Sequence, residues 1–371
     1  MTSKRSRSEN PVSIHEPVVS RRAVAPLAFS TGDPCGVGPF VSMKAAIELA
    51  KKRDRVVLFG DAEQLAVLVP PDLDPALRAR IELRGVGSLS PSSRTKHEAT
   101  AEGGALALSA LEAAARAVID GSCRALVTAP VSKSAIQLSG QAFTGQTEHL
   151  ARLSALDADA VTMMFLGPKL KVALATTHLR LRDVPDAVTP ARVGRAIRHL
   201  ADAALRLGAR PGSYIVVTGL NPHAGEDGMF GDEEGRVIAK AIAWARTFPP
   251  YVSGTLKVTG AIGAETAFRD AKAGRVAGVV AMFHDQATIA SKLLDWGQAV
   301  NVTWGLPYVR TSVDHGVAWD AASRGNAEPS GMIAAARLAR ALTRLPDAGR
   351  SDATPFGAIE SDTLVGAPTK E

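Results

Sequence analysis

Cysteine is nearly missing from this chain: Cys35 and Cys123 are the only two in 371 residues. Two thiols cannot build a disulfide framework, and they fall short of a structural zinc set, which fits a reducing compartment. No apolar run reaches membrane-spanning length, so a membrane protein is not expected. The opening stretch "MTSKRSRSENPVSIHEPVVSRR" has no apolar centre of a secretory leader, and we expect a cytoplasmic location. Aromatic residues are sparse at 5%. The body of the chain shows no clustered basic and aromatic surface, which argues against nucleic-acid binding. The net charge of +6 is largely local, because Lys4, Arg5, Arg7, Arg21 and Arg22 against Glu9 and Glu16 leave +3 near the start. Both common nucleotide fingerprints are also missing. "STGDPCGVGPF" has neither the G-x-G-x-x-G spacing nor the Walker lysine.

What is present is ample material for a core, 46% hydrophobic against 22% charged. The runs "AVAPLAFST", "RVVLFG", "RALVTAP", "VTMMFLG", "KVALATTH", "SYIVVTGL" and "GVVAMFHD" are continuous in apolar character, as buried parallel strands are. Helical patterns lie between several of them. Val193, Ile197, Leu200 and Ala204 recur on one helix face, and an alanine-rich helix from Ala101 ends before Gly121. This alternation predicts an α/β protein with a mostly parallel sheet. The number of strands suggests two lobes with a cleft between them. We expect a basic tail (1–23), a first α/β lobe (24–140 plus 318–345), a second lobe (141–317) carrying the metal and substrate residues, and a second tail (346–371).

Three of the eight histidines occupy one kind of place. His178 ends "KVALATTH", His223 follows "SYIVVTGLNP" and His284 ends "GVVAMFH". Each is at or just past the C-terminal end of a predicted strand, the edge where open parallel sheets bind ligands. Three imidazoles in that position point to a metal site with an open coordination position. His15, His97 and His199 read instead as tail, polar loop and charged helix flank. Asp285 follows His284 and is placed to orient it. Cationic and polar groups come next: Lys292 on "ATIASKLLDWG", then Asn301 and Arg310 in "NVTWGLPYVRTSVDHG". Near a metal, lysine and arginine can hold a phosphate or carboxylate.

The stretches "TGDPCGVGP", "VTAPVSKSAI", "FTGQTEHLA", "ATTHLRLRDVP", "GLNPHAGEDGMFGDEE", "FHDQ" and "VNVTWGLPYVRTSVDHGVAWDAASRGNAE" resemble, in order, the 4-hydroxythreonine-4-phosphate dehydrogenase family of vitamin B6 biosynthesis. The resemblance implies a two-lobed α/β/α fold like that of isocitrate and isopropylmalate dehydrogenases. It implies NAD-dependent oxidation of 4-phosphohydroxy-L-threonine, with NADP the alternative, and decarboxylation to 3-amino-2-oxopropyl phosphate. It implies a divalent metal on His178, His223 and His284, zinc first and magnesium, cobalt, nickel or iron as alternatives. It further implies a homodimer with the site near the subunit interface, one histidine reaching in from the partner. Lys292, Asn301, Arg310 and Thr147 match the substrate-binding residues, with Lys292 and Asp285 expected in catalysis. No residue is assigned to the nicotinamide cofactor. The chain departs from the family at Gln146, where the family has a histidine that helps hold the substrate, and Gln146 is expected among the substrate-binding residues in its place; Phe40, Ala261 and Glu265 depart as well. Gln146 leaves open another hydroxy-acid substrate, such as a phosphorylated threonate or a cyclic dihydrodiol carboxylate.

Overall fold

The computed structural model describes residues 24–94 and 96–344; both predicted tails, and His15, lie outside them. Eleven strands form one sheet: β1 (Leu27–Ser30), β2 (Val56–Asp61), β3 (Ile81–Gly87), β4 (Ala125–Thr128), β5 (Thr162–Leu166), β6 (Lys171–Leu174), β7 (Ser213–Thr218), β8 (Leu256–Ile262), β9 (Gly278–Ala281), β10 (Val300–Trp304) and β11 (Val309–Ser312). Their order is β3-β2-β1-β4-β11-β10-β5-β6-β9-β7-β8. All seven apolar runs read from the sequence are strands of this sheet.

The pairings are parallel except at three successive joints, β11 with β10, β10 with β5 and β5 with β6. Three reversals turn β6, β9, β7 and β8 antiparallel to the β3-to-β11 half. Since β6, β9 and β7 are parallel neighbours, the loops after them open along one edge. The glycine-rich loop after β1 belongs to the half that runs the other way.

Helices cover both faces. One face packs along the whole sheet against helices Gly38–Lys51, Pro190–Arg206, Ala239–Ala245 and Ser330–Arg344, through residues such as Phe29, Val127, Met164, Val217 and Val302. The helix Pro190–Arg206 buries Val193, Ile197, Leu200 and Ala204 as its periodicity requires. It also buries His199, which sequence reading had placed on a charged flank. The reason is that Ala239–Ala245 packs on this helix too, and His199 Nδ1 bonds Thr162 Oγ1 of β5 at 2.8 Å.

The opposite face is divided. Helices Ala101–Ile119, Lys133–Leu138 and Gln146–Leu153 cover one half. Helices Ala264–Lys272 and His284–Leu294 cover the other. Between them lie β10 and β11. Val300, Val302 and Trp304 alternate toward the common core, which leaves Asn301 and Thr303 on the divided face. The register pairs Thr303 with Arg310 and Asn301 with Ser312, so a strip of polar side chains floors the gap.

Candidate active site

His178 lies four residues past β6 and His284 opens the helix that follows β9. Adjacent parallel strands therefore bring the two together, with ring centroids 5.2 Å apart and planes tilted by 43°. Desolvation holds His178 below the usual imidazole range, and the His284 and Lys133 charges add to this, so its ring nitrogens stay available as ligands. His284 Nδ1 is 2.7 Å from Asp285 Oδ1. A carboxylate only accepts, so Nδ1 donates and Nε2 keeps its lone pair for a metal. These two rings have the chemistry of metal donors.

His223 is in the short turn Pro222–Gly225 after β7. From His223 to Asp227 the backbone is left-handed throughout, with φ of 54, 53, 84, 43 and 53°. Four of those residues are not glycine, a conformation that each holds at a cost unless its surroundings fix it. Glu234 supplies the fixing. Its Oε1 accepts from the backbone N–H of Leu220 and of Asn221, each at 2.8 Å. Asn221 Nδ2 donates to Glu233 Oε2 at 2.7 Å and to Glu234 Oε2 at 3.1 Å. The exposed His223 ring packs beside Phe230. Among the described residues, no three His, Cys, Asp or Glu side chains gather as a metal cluster within the one chain. The converging histidines are His178 and His284.

Arg310, 2% exposed, is the largest fully buried side chain among the described residues. Its Nη1 donates to Thr303 Oγ1 at 2.8 Å; its Nη2 donates to Thr128 Oγ1 at 2.8 Å and to Gln146 Oε1 at 3.1 Å. Burial lowers its pKa to about 10, so it remains a cation at neutral pH. Among the described residues, no carboxylate forms an ion pair with it. Its Nε is buried without a partner, as is Asn301 Oδ1 on the neighbouring strand. Buried polar atoms of that kind are ordinarily satisfied by a bound group or water. Thr147 Oγ1 lies 3.3 Å from Thr303 Oγ1, which ties the helix Gln146–Leu153 to the same floor.

Lys292 Nζ is 3.7 Å from Asp314 Oδ2. Burial pushes the Asp314 carboxyl up, while Lys292 beside it, with His315 and His284, pulls it back. Glu148 raises both His178 and Arg310, so one carboxylate acts on the imidazole pair and on the buried guanidinium. Sequence reading singled out neither Asp314 nor Glu148, nor Thr128 and Thr303. Asp314 stands in "RTSVDHG", and the alternation of "VNVTW" carries the signal for Thr303. His149 Nε2 lies 3.1 Å from Glu112 Oε1 and its ring packs beside Phe143, a structural role.

The chain is similar to known proteins over most of its length. It is 37% identical over 338 residues to 4-hydroxythreonine-4-phosphate dehydrogenase of Geobacter metallireducens, covering 87% of this chain and 97% of that one. The protein of the same name from Aromatoleum aromaticum is 39% identical over 338 residues, covering 87% and 98%. The crystal structure of 4-hydroxythreonine-4-phosphate dehydrogenase from Klebsiella pneumoniae superposes with a TM-score of 0.71 at 34% identity, covering 86% of this chain and all of that one. A terephthalate 1,2-cis-dihydrodiol dehydrogenase from Burkholderia xenovorans superposes with a TM-score of 0.60 at 27% identity, covering 86% and 98%. The sequence profile of the family described as pyridoxal phosphate biosynthetic protein PdxA matches residues 45–339. With its mostly parallel α/β sheet and this extent of likeness, the chain belongs to the PdxA family.

Proposed function

We propose that the protein is an NAD-dependent, divalent-metal-assisted dehydrogenase of 4-phosphohydroxy-L-threonine that also decarboxylates the oxidised product to 3-amino-2-oxopropyl phosphate, in the cytoplasm. The observation that carries this reading is the pairing of two converging imidazoles, His178 and His284, with a buried guanidinium that has no carboxylate on it. A divalent cation, zinc by the nitrogen donors, would lower the pKa of the substrate hydroxyl, and NAD would take up the hydride.

The chain's own residues then divide the work. Arg310 and Asn301 hold the substrate: the unpartnered Arg310 Nε–H and the Asn301 Nδ2 donate to its anionic ends, and Asn301 Oδ1, which no protein group occupies, accepts from a substrate hydroxyl or ammonium group. Thr147 adds a hydroxyl from the helix side. Lys292, held near Asp314, orients the substrate and moves a proton. Asp285 fixes the His284 tautomer. The third histidine, His223, comes from a second copy of the chain, which makes the working unit a homodimer. Exposed Ile289, Leu293 and Trp296, on and just past the helix that His284 opens, give that copy an apolar surface to cover. The lobe division 24–140 plus 318–345 and 141–317 is part of the same reading.

The second reading keeps the fold and changes the substrate to another hydroxy acid, such as a phosphorylated threonate or a cyclic dihydrodiol carboxylate. Gln146 beside Arg310 and the likeness to the Burkholderia dihydrodiol dehydrogenase favour it. A panel of these acids, assayed by NAD and NADP reduction with and without chelator, decides. Turnover of 4-phosphohydroxy-L-threonine alone, abolished by chelator and restored by zinc, is the expected result. Turnover of a dihydrodiol acid in its place would overturn the first reading.

A further inference from the structure

Arg310 is held by three acceptors, and all three are neutral. Two of them, Thr303 Oγ1 and Thr128 Oγ1, belong to the sheet. The third, Gln146 Oε1, comes from outside it, from the first residue of the helix Gln146–Leu153. The Gln146 amide can face only one way. Its Nε2 donates to the Ala129 carbonyl at 3.2 Å, and a carbonyl oxygen cannot donate in return. Its Oε1 is therefore the end that meets the guanidinium. Both ends of this side chain are spent on protein atoms.

The charge arrangement here is specific. Glutamate has the same shape as glutamine, and at position 146 it would close an ion pair with Arg310. An anionic ligand would then meet a neutralised group. The one acid on this helix turn, Glu148, instead folds back against the backbone of Gly145, with Oε2 2.5 Å from where a Cβ would stand on that glycine. It makes no ion pair with Arg310. The chain keeps its carboxylate off the guanidinium and puts an amide on it.

We propose that Gln146 is a positioning residue: it aims the Arg310 fork from outside the sheet while leaving its charge free, and so sets how strongly the cleft takes a phosphate-class anion. This rests on the reading of Arg310 as the anion-binding group. The class of ligand follows from a rigid guanidinium held only by neutral acceptors, with its buried Nε left without a partner.

The test is calorimetric titration of inorganic phosphate into the full-length protein and its variants, with near-ultraviolet circular dichroism to check each fold. Arg310→Met tests the underlying reading and should abolish phosphate binding. Gln146→Glu should weaken phosphate by about tenfold or more, because the new carboxylate pairs with Arg310. Gln146→Met should weaken it by only about threefold, through lost aim alone. In turnover assays with the phosphorylated substrate, both losses should appear in KM rather than kcat. A merely structural role would give the Glu and Met variants the same effect. Phosphate affinity equal to wild type in Gln146→Glu, with Arg310→Met inactive in binding, overturns the proposal. If Gln146→Glu does not fold, unchanged affinity in Gln146→Met overturns it instead. Phosphate binding that survives Arg310→Met overturns the reading beneath it, a distinct result.

Discussion

Arg310 Nη2 lies 2.8 Å from Thr128 Oγ1. Thr128 ends β4 and Thr303, on the other arm of the fork, belongs to β10. One guanidinium thus spans three neighbouring strands, β4, β11 and β10, at the place where the sheet begins to reverse direction. Lysine at this position would keep the charge and lose the fork. Arg310→Lys is expected to cost roughly 2 kcal/mol of binding to an anionic substrate, near thirtyfold in kcat/KM, mostly through KM. Steady-state kinetics check this, and parity with wild type would remove Arg310 from the anion-binding role.

The histidine arrangement makes a prediction about subunits. If His178 and His284 of one chain are completed by His223 of another, His223→Ala and His284→Ala proteins should each be inactive. Mixed and allowed to exchange, they should recover about a quarter of wild-type activity, since half the random dimers carry one intact site of two. Zinc content measured on the mixture should recover in parallel. No recovery after verified exchange would mean that the site is built within one chain.

Glu234 is expected to matter for turnover more than for folding. Its carboxylate holds Leu220 and Asn221 just ahead of the left-handed run at His223. Glu234→Ala removes three charge-assisted hydrogen bonds, each worth about 1.5–3 kcal/mol locally, from a half-buried loop. Amide exchange should quicken over residues 220–228 and kcat should fall about tenfold or more, while the melting temperature moves little. A large drop in melting temperature with normal kcat would show that Glu234 supports the core instead.

His199 should make stability fall with acid. Burial, with Arg198 and Arg195 nearby, lowers its folded pKa to about 3 from 6.5. Below pH 6.5 the unfolded chain takes up a proton that the folded chain refuses until about pH 3. The contribution is thus complete above pH 6.5 and is lost as pH falls toward 3, at about 1.4 kcal/mol per unit. His199→Gln keeps a polar atom for Thr162 and removes the titration. Between pH 7 and 4.5, urea unfolding of wild type should lose roughly 2–3 kcal/mol more than the variant loses. Parallel pH profiles would place His199 in a more open setting than the 1% exposure seen here.

The strands that the sequence announces are those buried on both faces. "VVLFGD" is buried at every position, and such a run needs no partner to be recognised. β3 and β8 are edge strands with half-exposed patterns and glycines, so their signal is weak. β10 and β11 were hidden for a functional reason: every second residue faces the cleft floor and is polar. The histidines were legible as strand-end residues, because each follows its strand in the chain. That His178 would meet His284 depends on β6 lying next to β9, a matter of strand order that spacing along the chain does not encode. Gln146 was visible as a departure from family pattern, but its bonds to Ala129 and Arg310 required the fold.

The first half of the sheet is finished by the last part of the chain. β11 supplies the neighbour of β4, and Arg340 on the helix Ser330–Arg344 reaches Asp54 at 2.5 Å, beside Arg124 at 2.6 Å. A ribosome delivers these pieces in the opposite order. During synthesis β4 waits with an unpaired edge, and the buried Asp54 lacks one of its cations, until some two hundred further residues have emerged. The nascent protein therefore passes through a long interval in which its earliest-made strands are assembled but not sealed. That is the period when a chaperone would find the most to hold.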